Sequence, residues 1–451
     1  MASTYLSKVQ TTGTNRKIQT FSTWVKKCQN PSSDNVLFSS YYSADERLTI
    51  FFDSSQEITV FNRSGGSNTV TLVTNRLFRD VSAWYHIVVA LDSTQATASN
   101  RVKIYVNGVQ ETSFATAIYP SLNEDFRIGS SAYTSYLGVY AASSGYFDGN
   151  MAHFNSIDGT AYPASTFGET DSLTGIWKPI TSPSVTYGTN GFFLKFASSG
   201  SMGTDSSGNS NNFTVNGNLT QTQDTPSNVF ATLNALIPMR GTATYNNGNT
   251  YFSSSYGDWD SALSTIGATQ GKWYFETKWG NPEQLIIGCV DVEKDPEFLS
   301  AQGAVGFLGY QGGIGYLGEA GSPRVIGNTG NNLYTGLTSI SSGNIVGCAI
   351  DLDNREMFVH INGTYTNSGN PETRANPYDM STSINSGGTV LMGVSSRSGY
   401  PIETNFGNGY FGTTAVASAG TNASGIGIFE YDVPTGYRAL CTKSINAQEY
   451  S

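Results

Sequence analysis

Three histidines, four cysteines and 34 acidic residues are the side chains of this 451-residue chain whose types could do chemistry. His86, His153 and His360 are far apart in sequence, and no serine near them has the G-x-S-x-G setting of a hydrolase nucleophile. A lone histidine lacks the orienting partner that base catalysis needs, so each is expected to fill a slot on a sheet face. Hydrolysis of a glycosidic bond would need two carboxylates on one strand face, at alternating positions. Glu124 and Asp125 are adjacent, hence on opposite faces of any strand, and precede FRIG in a turn. Asp351, Asp353 and Glu356 look like a carboxylate cluster that could serve a metal or acid/base work. Their DLDNRE segment joins two alternating runs and reads as a solvated turn. Cys28, Cys289, Cys348 and Cys441 are widely spaced with no C-x-x-C pair, so neither a zinc site nor a disulfide framework is indicated, and buried thiols are expected. GYQGGIGYLGE is glycine-rich but lacks the Lys-Ser/Thr ending of a phosphate loop.

What rises above this background is tyrosine set among Asn, Asp, Gly and Ser. SAYTSYLGVYAASSGYFDGN holds Tyr133, Tyr136, Tyr140 and Tyr146, YQGGIGYLGE holds Tyr310 and Tyr316, and SRSGYP holds Tyr400. A tyrosine offers a stacking face and a hydroxyl at small entropic cost, and neighbouring amides and hydroxyls add hydrogen bonds, a combination that suits sugar rings and polar protein surfaces. These seven residues are the expected ligand-binding candidates, in loops carried by a sheet framework.

The framework follows from composition. Charged residues make up 13% of the chain against about 25% in ordinary domains, and the net charge is -10. That balance excludes the basic footprint of a nucleic-acid partner and a polybasic lipid contact. There is no run of 18 apolar residues, so no membrane insertion is expected, and Met1 to Gln10 lacks the basic start and apolar centre of a secretory signal. Fifty glycines and 12% aromatics are the diet of strands and turns. WYHIVVAL (84–91) and RVKIYV (101–106), the latter ending in Asn107-Gly108, predict a hairpin. In the second of these strands Val102, Ile104 and Val106 share a core face, leaving Arg101, Lys103 and Tyr105 toward solvent. Past Asn218 the chain loses periodicity, then resumes with GKWYFETKW, LIIGCV, GAVGFLGY, NIVGCAIDLD, REMFVHINGTY, TVLMGV and IETNFG. The expectation is an all-β chain of two antiparallel β-sandwich (jelly-roll) domains in tandem, residues 1–225 and 241–451, joined by a linker at 226–240.

The segment WYHIVVALDSTQATASNRVKIYVNGVQE, with FRIGSS and YFDGNMAHFNSIDGTAY after it, resembles the laminin G-like members of the concanavalin A-like lectin/glucanase group. That resemblance implies a calcium ion, for which Asp205 in DSSGNSN is the candidate ligand, and the position of that turn late in the domain implies either a permuted strand order or a resemblance that is local there. The laminarinase-type enzymes of the same group carry E-x-D-x-E, which the first half lacks. GKWYFETKW, SGNIVGCAIDLDNREMFVHINGTY, NFGNGYF and PTGYRALCTKSI resemble the ordered signatures of a SPRY domain, with an added, exposed insertion at Gly412 to Ile428. The tandem resembles an arrangement in virion proteins of marine tailed bacteriophages. It implies a non-enzymatic structural protein of the particle, assembled in the host cytoplasm, homo-oligomeric and in contact with other virion proteins. A tail fibre or receptor-binding component recognising host cell-surface glycan or an envelope component is the leading expectation. A capsid decoration or head-fibre protein making mainly protein contacts is the alternative, and a glycan-degrading enzyme the third.

Overall fold

The computed structural model describes residues 4–449 except 173–174, 238–240, 256, 258, 282–283, 295–307, 310–311, 320 and 329. Most of GAVGFLGY, expected as a strand, and the candidate Tyr310 lie outside the described residues. The fold is all-β with antiparallel sheets, as the composition demands, and the chain divides into two compact units, residues 1–221 and 222–451. No helix among the described residues is long and apolar enough to cross a membrane.

In the first unit an eight-stranded sheet runs in the order Phe114–Ile118, Ser67–Leu77, Glu57–Ser64, Glu46–Phe52, Asn35–Ser43, Thr134–Leu137, Tyr5–Val9, Thr214–Asn216. It packs on a six-stranded sheet ordered Phe192–Leu194, Gly149–Asp158, Ile18–Lys27, Trp84–Asp92, Val102–Val106, Val109–Gln110. Alternation puts Leu48, Ile50, Val60 and Leu72 of the larger sheet against Ile87, Val89, Leu91 and Ile104 of the smaller, all buried. Each such side chain stabilises the unit by about 1.5–3 kcal/mol relative to exposure.

The second face of the smaller sheet departs from expectation. Instead of facing solvent, it is covered by the segment from Tyr162 to Tyr187, where Ala164, Phe167 and Trp177 pack on Val88, Ile157 and Tyr105. The cover includes a short hairpin, Gly168–Thr170 with Trp177–Pro179. The indole of Trp177 lies so close that a Cβ on Gly168 would sit 2.5 Å from its ring, and one on Gly108 2.9 Å. Gly108 of the predicted Asn-Gly turn therefore does two things, adopting φ +84° and leaving room for that indole.

In the second unit the larger sheet runs Ala243–Asn246, Tyr251–Ser254, Ile402–Asn405, Lys272–Trp279, Ile345–Asp351, Glu356–Ile361, Thr364–Tyr365. Tyr378–Asp379 joins Glu356–Ile361, and Arg438–Ala439 pairs in parallel with Lys272–Trp279. The facing six-stranded sheet is ordered Trp259–Ala268, Val390–Arg397, Leu285–Asp291, Gly313–Leu317, Arg324–Gly327, Asn331–Thr335. The stretch read as linker, 226–240, is corrected in part, because residues 230–233 belong to the second unit's core. Phe230, Ala231 and Leu233 are core residues, Ala231 N–H donates to the Leu440 carbonyl and Leu233 N–H to that of Asn249. The apolar content of VFATLNAL outweighs the absence of strand periodicity, because a single extended segment can bury side chains without belonging to a long ladder. The insertion at Gly412 to Ile428 is largely exposed.

Candidate functional site

The outer face of the eight-stranded sheet gathers the tyrosines of the first unit. Leu6 and Leu137 point into the core, so their neighbours Tyr5, Ser7 and Tyr136 point out. Register then lays a continuous row across the sheet, Ser7, Tyr136, Ser39, Thr49, Phe61, Thr71 and Ile118, in which no member is charged. Tyr5 lies 6.1 Å from Tyr136 and 6.3 Å from Tyr146, ring to ring. Tyr41 meets Tyr140 edge-on at 5.4 Å, and the Arg47 guanidinium sits over both Phe61 (4.9 Å) and Tyr140 (5.2 Å). All five tyrosines are half-buried, showing an edge or face to solvent. Tyr140 and Tyr146 come from a loop in which Ala141 and Ala142 hold φ of 51° and 62°, a strained conformation for alanine that packing must enforce. On the floor of the row, the Ser39 and Thr49 hydroxyls are buried and make no hydrogen bond. Their bonding capacity is unspent, at about 1–3 kcal/mol each.

The seven candidates thus separate. Tyr136, Tyr140 and Tyr146 are brought together, joined by Tyr5 and Tyr41, which sequence reasoning missed because only the strand register places them beside the other three. Tyr133 is 6% exposed, its hydroxyl turned toward Glu46. Tyr316 is a correction. It sits in strand Gly313–Leu317, fully buried, and donates to the Thr338 carbonyl at 2.5 Å, because the glycine-rich segment is a core strand rather than an open loop. Tyr400 is half-buried against the second unit's core.

The groups that could do chemistry are committed elsewhere. Asp351 pairs with Lys272 at 3.0 Å, Asp353 accepts from Gly271 N–H, and Glu356 forms a two-pronged pair with Arg374 at 2.8 and 2.9 Å. Among the described residues no three metal-ligating side chains converge. Both oxygens of Asp205 accept hydrogen bonds, from Phe193 and Ser207 N–H on one and from Asn211 N–H and the Ser207 hydroxyl on the other. It shapes its turn, and calcium there would have to displace all four donors. All four cysteines are buried and none is in a disulfide.

His86 comes nearest to a catalytic arrangement, with Nε2 2.9 Å from Ser22 Oγ. Its Nδ1, however, accepts from the Trp177 indole N–H at 3.0 Å, so the proton resides on Nε2 and is donated to the serine, the reverse of what a general base requires. The imidazole is stacked between Trp24 (4.7 Å) and Trp177 (6.0 Å), and burial lowers its pKa to about 3. The second unit has a parallel arrangement. His360 Nδ1 accepts from Gly363 N–H, its Nε2 lies 2.6 Å from Tyr274 Oη, and that hydroxyl donates to Glu276 at 2.9 Å. Glu276 also accepts from Glu430 and Tyr431 N–H, at 2.8 and 2.9 Å, and is fully buried. Burial raises its pKa to about 7 although three donors favour the carboxylate, and burial lowers that of His360 to about 3.

These shifts predict different acid responses. His86 has a folded pKa below its unfolded value, so its contribution is complete above pH 6.5 and is lost as pH falls toward 3, at about 1.4 kcal/mol per pH unit. His360 does the same in the second unit, but Glu276 has a raised folded pKa and acts with opposite sign, adding stability as pH falls from about 7 to 4.5. Between pH 6.5 and 4.5 the first unit should lose about 2–3 kcal/mol while the second stays nearly level. Hydrogen exchange of the full chain, corrected for intrinsic rates and followed on Trp84–Asp92 and Lys272–Trp279, measures both. Equal acid sensitivity of the two strands would contradict the assignment.

Comparison with known proteins adds the following. Residues 3–165 match the Concanavalin A-like lectin/glucanases superfamily, a span that holds the strands of the first unit's two sheets except Phe192–Leu194 and Thr214–Asn216. No curated protein sequence matches the chain. Among solved structures, the SPRY domain of human HERC1 is similar at 15% identity and a TM-score of 0.27, covering 36% of this chain and 91% of that one. The PSpry domain of TRIM65 is similar at 12% identity and a TM-score of 0.29, covering 39% and 89%. Residues 3–165 are thus similar in sequence to the Concanavalin A-like lectin/glucanases superfamily.

Proposed function

We propose that the chain is a non-enzymatic recognition protein that binds a neutral glycan on the tyrosine face of its first unit. The observation that carries this is the uncharged cross-strand row bearing Tyr136 and Phe61, flanked by Tyr5, Tyr41, Tyr140 and Tyr146, with two buried hydroxyls unspent beneath it. Aromatic faces accept the apolar sides of sugar rings, and hydroxyls and amides at their margin fix orientation. Similarity to lectins supports the reading. The lack of an E-x-D-x-E pattern in the first half weighs against the glucanase alternative. The biological setting we propose is a tailed-phage particle, assembled in the host cytoplasm, with the protein as an oligomeric tail fibre or receptor-binding component directed at host-surface glycan. The resemblance of its tandem arrangement to marine phage virion proteins supports that setting.

The test is binding of the full chain to a panel of bacterial surface glycans, with and without a calcium chelator. Saturable binding is expected, insensitive to salt, and reduced about tenfold or more by Tyr136→Ala and by Tyr5→Ala. Saturable binding untouched by either substitution would move the site off this face. Absence of binding by folded protein would favour the decoration reading, in which the same face meets another virion protein. Peptide mass spectrometry of purified particles decides the setting.

A further inference from the structure

The second unit carries a feature that the glycan reading does not use. Three loops meet around a surface cleft of about 700 Å³, formed by residues 365–372, 421–423 and 432–435. That volume is within the range of sites that hold small ligands or single side chains. The loops are tied together across the cleft. Glu372 Oε1 accepts from both the N–H (3.1 Å) and the hydroxyl (2.7 Å) of Thr435, and Asp432 Oδ1 accepts from the N–H (2.6 Å) and hydroxyl (2.8 Å) of Thr421. Val433 N–H closes the set on the Thr421 carbonyl at 2.8 Å. Each carboxylate is therefore held in place through one oxygen, and its other oxygen makes no hydrogen bond or ion pair within the described residues. Those threonine bonds also lower both carboxyl pKa values, keeping them ionised.

Charge distribution adds an independent observation. Among the described residues no Lys, Arg or His lines the cleft. Residues 222–451 hold 19 acidic and 10 basic side chains, whereas residues 1–221 hold 15 and 14, so the second unit bears nearly all of the chain's net charge of -10. Such a field draws a cationic partner toward this unit and raises its encounter rate. The rest of the lining combines polar Asn370, Thr421, Asn422 and Thr435 with the buried Pro371, Val433 and Pro434 and the half-buried Tyr365. Two carboxylates, each with an oxygen free of protein partners, beside apolar residues suit a long side chain with an aliphatic stem and a cationic head.

We infer that this cleft receives an arginine or lysine side chain presented by a protein partner. The guanidinium or ammonium group would take the open oxygens of Glu372 and Asp432, and its methylenes would lie on Pro371, Val433 and Pro434. A neutral sugar brings no charge to these carboxylates, so the two units bind by different chemistry. Part of the cleft belongs to the Gly412 to Ile428 insertion, which gives that segment a use.

Titration calorimetry of the full chain with acetyl-Gly-Arg-Gly-amide tests this, with the citrulline peptide, of the same shape but neutral, as comparison. Binding of the arginine peptide in the millimolar range is expected, at least about fivefold tighter than citrulline and weakening with added salt. Glu372→Gln with Asp432→Asn keeps the acceptors for Thr435 and Thr421, so the loops stay tied, and should reduce affinity about tenfold. Asp379→Asn, an exposed acid outside the cleft lining, should leave it unchanged. Equal binding of the two peptides, an equal loss from Asp379→Asn, or no saturable binding up to roughly 20 mM would each overturn the assignment. Glycan binding by the first unit is read with different ligands and variants, so either proposal can fail without the other.

Discussion

Glu276→Ala should destabilise the second unit by about 4 kcal/mol, the largest effect expected of any single substitution considered. The carboxylate is fully buried in strand Lys272–Trp279 and is the acceptor for three donors, Glu430 N–H, Tyr431 N–H and the Tyr274 hydroxyl. Truncation leaves all three without a partner in a site where water does not replace the lost oxygen atoms. It also frees the segment 430–435, one wall of the cleft, from the sheet that anchors it. Glu276→Gln keeps the volume and one acceptor oxygen, and should cost about 2 kcal/mol. Urea-dependent hydrogen exchange of strand Lys272–Trp279 in the intact chain reads both values. A loss under about 1 kcal/mol for the alanine variant would show that the three bonds are replaceable.

Trp177→Ala should remove about 3 kcal/mol from the first unit, because the indole closes the outer face of the six-stranded sheet. It stacks on His86, donates to its Nδ1 and lies against Gly108 and Gly168, where no side chain can fill the space left behind. A second consequence follows from burial as the cause of the low His86 pKa. With the indole gone the imidazole meets water, so its pKa should rise toward 6.5 and the acid-dependent loss of stability should flatten. Trp177→Phe keeps the stacking but not the hydrogen bond, at a cost of about 1 kcal/mol. Histidine proton resonances followed over pH, together with exchange of Trp84–Asp92, separate the two contributions. An unchanged His86 titration in the alanine variant would mean that the cover, not the ring, keeps water away.

Much of this architecture is legible from local signals. The alternation in WYHIVVAL and RVKIYV and the Asn-Gly turn between strand and strand fix the hairpin at 84–110, since period and turn chemistry act over a few residues. The same signals fail where side chains meet across long separations. Tyr105 alternates as a solvent-facing residue and is covered only because a segment some 60–80 residues later returns over it. Gly347 looks like a weak point in a strand, yet a Cβ there would lie 2.0 Å from His360 Nε2, so its absence makes room for the imidazole on the neighbouring strand. The candidate site shows the same division. Tyrosine-rich composition pointed to Tyr136, Tyr140 and Tyr146, but the register that adds Tyr5 and Tyr41 is a property of the sheet. Tyr316 misled because glycine neighbours suggest a loop, whereas Gly315 in that strand lets Ile286 pack close.

The pairing of Arg438–Ala439 with strand Lys272–Trp279, and of Ala231 with Leu440, carries a consequence for biosynthesis. The first unit has all its strands once residue 216 has left the ribosome, when Thr214–Asn216 can close on Tyr5–Val9. The second must hold Lys272–Trp279 with part of its hydrogen-bonding edge open until residues some 160 later emerge. During that interval a strand with four aromatic side chains, Trp273, Tyr274, Phe275 and Trp279, is available to neighbouring nascent chains, a setting in which collapsed intermediates go astray. Translation speed and chaperone supply should therefore govern the yield of the second unit far more than that of the first.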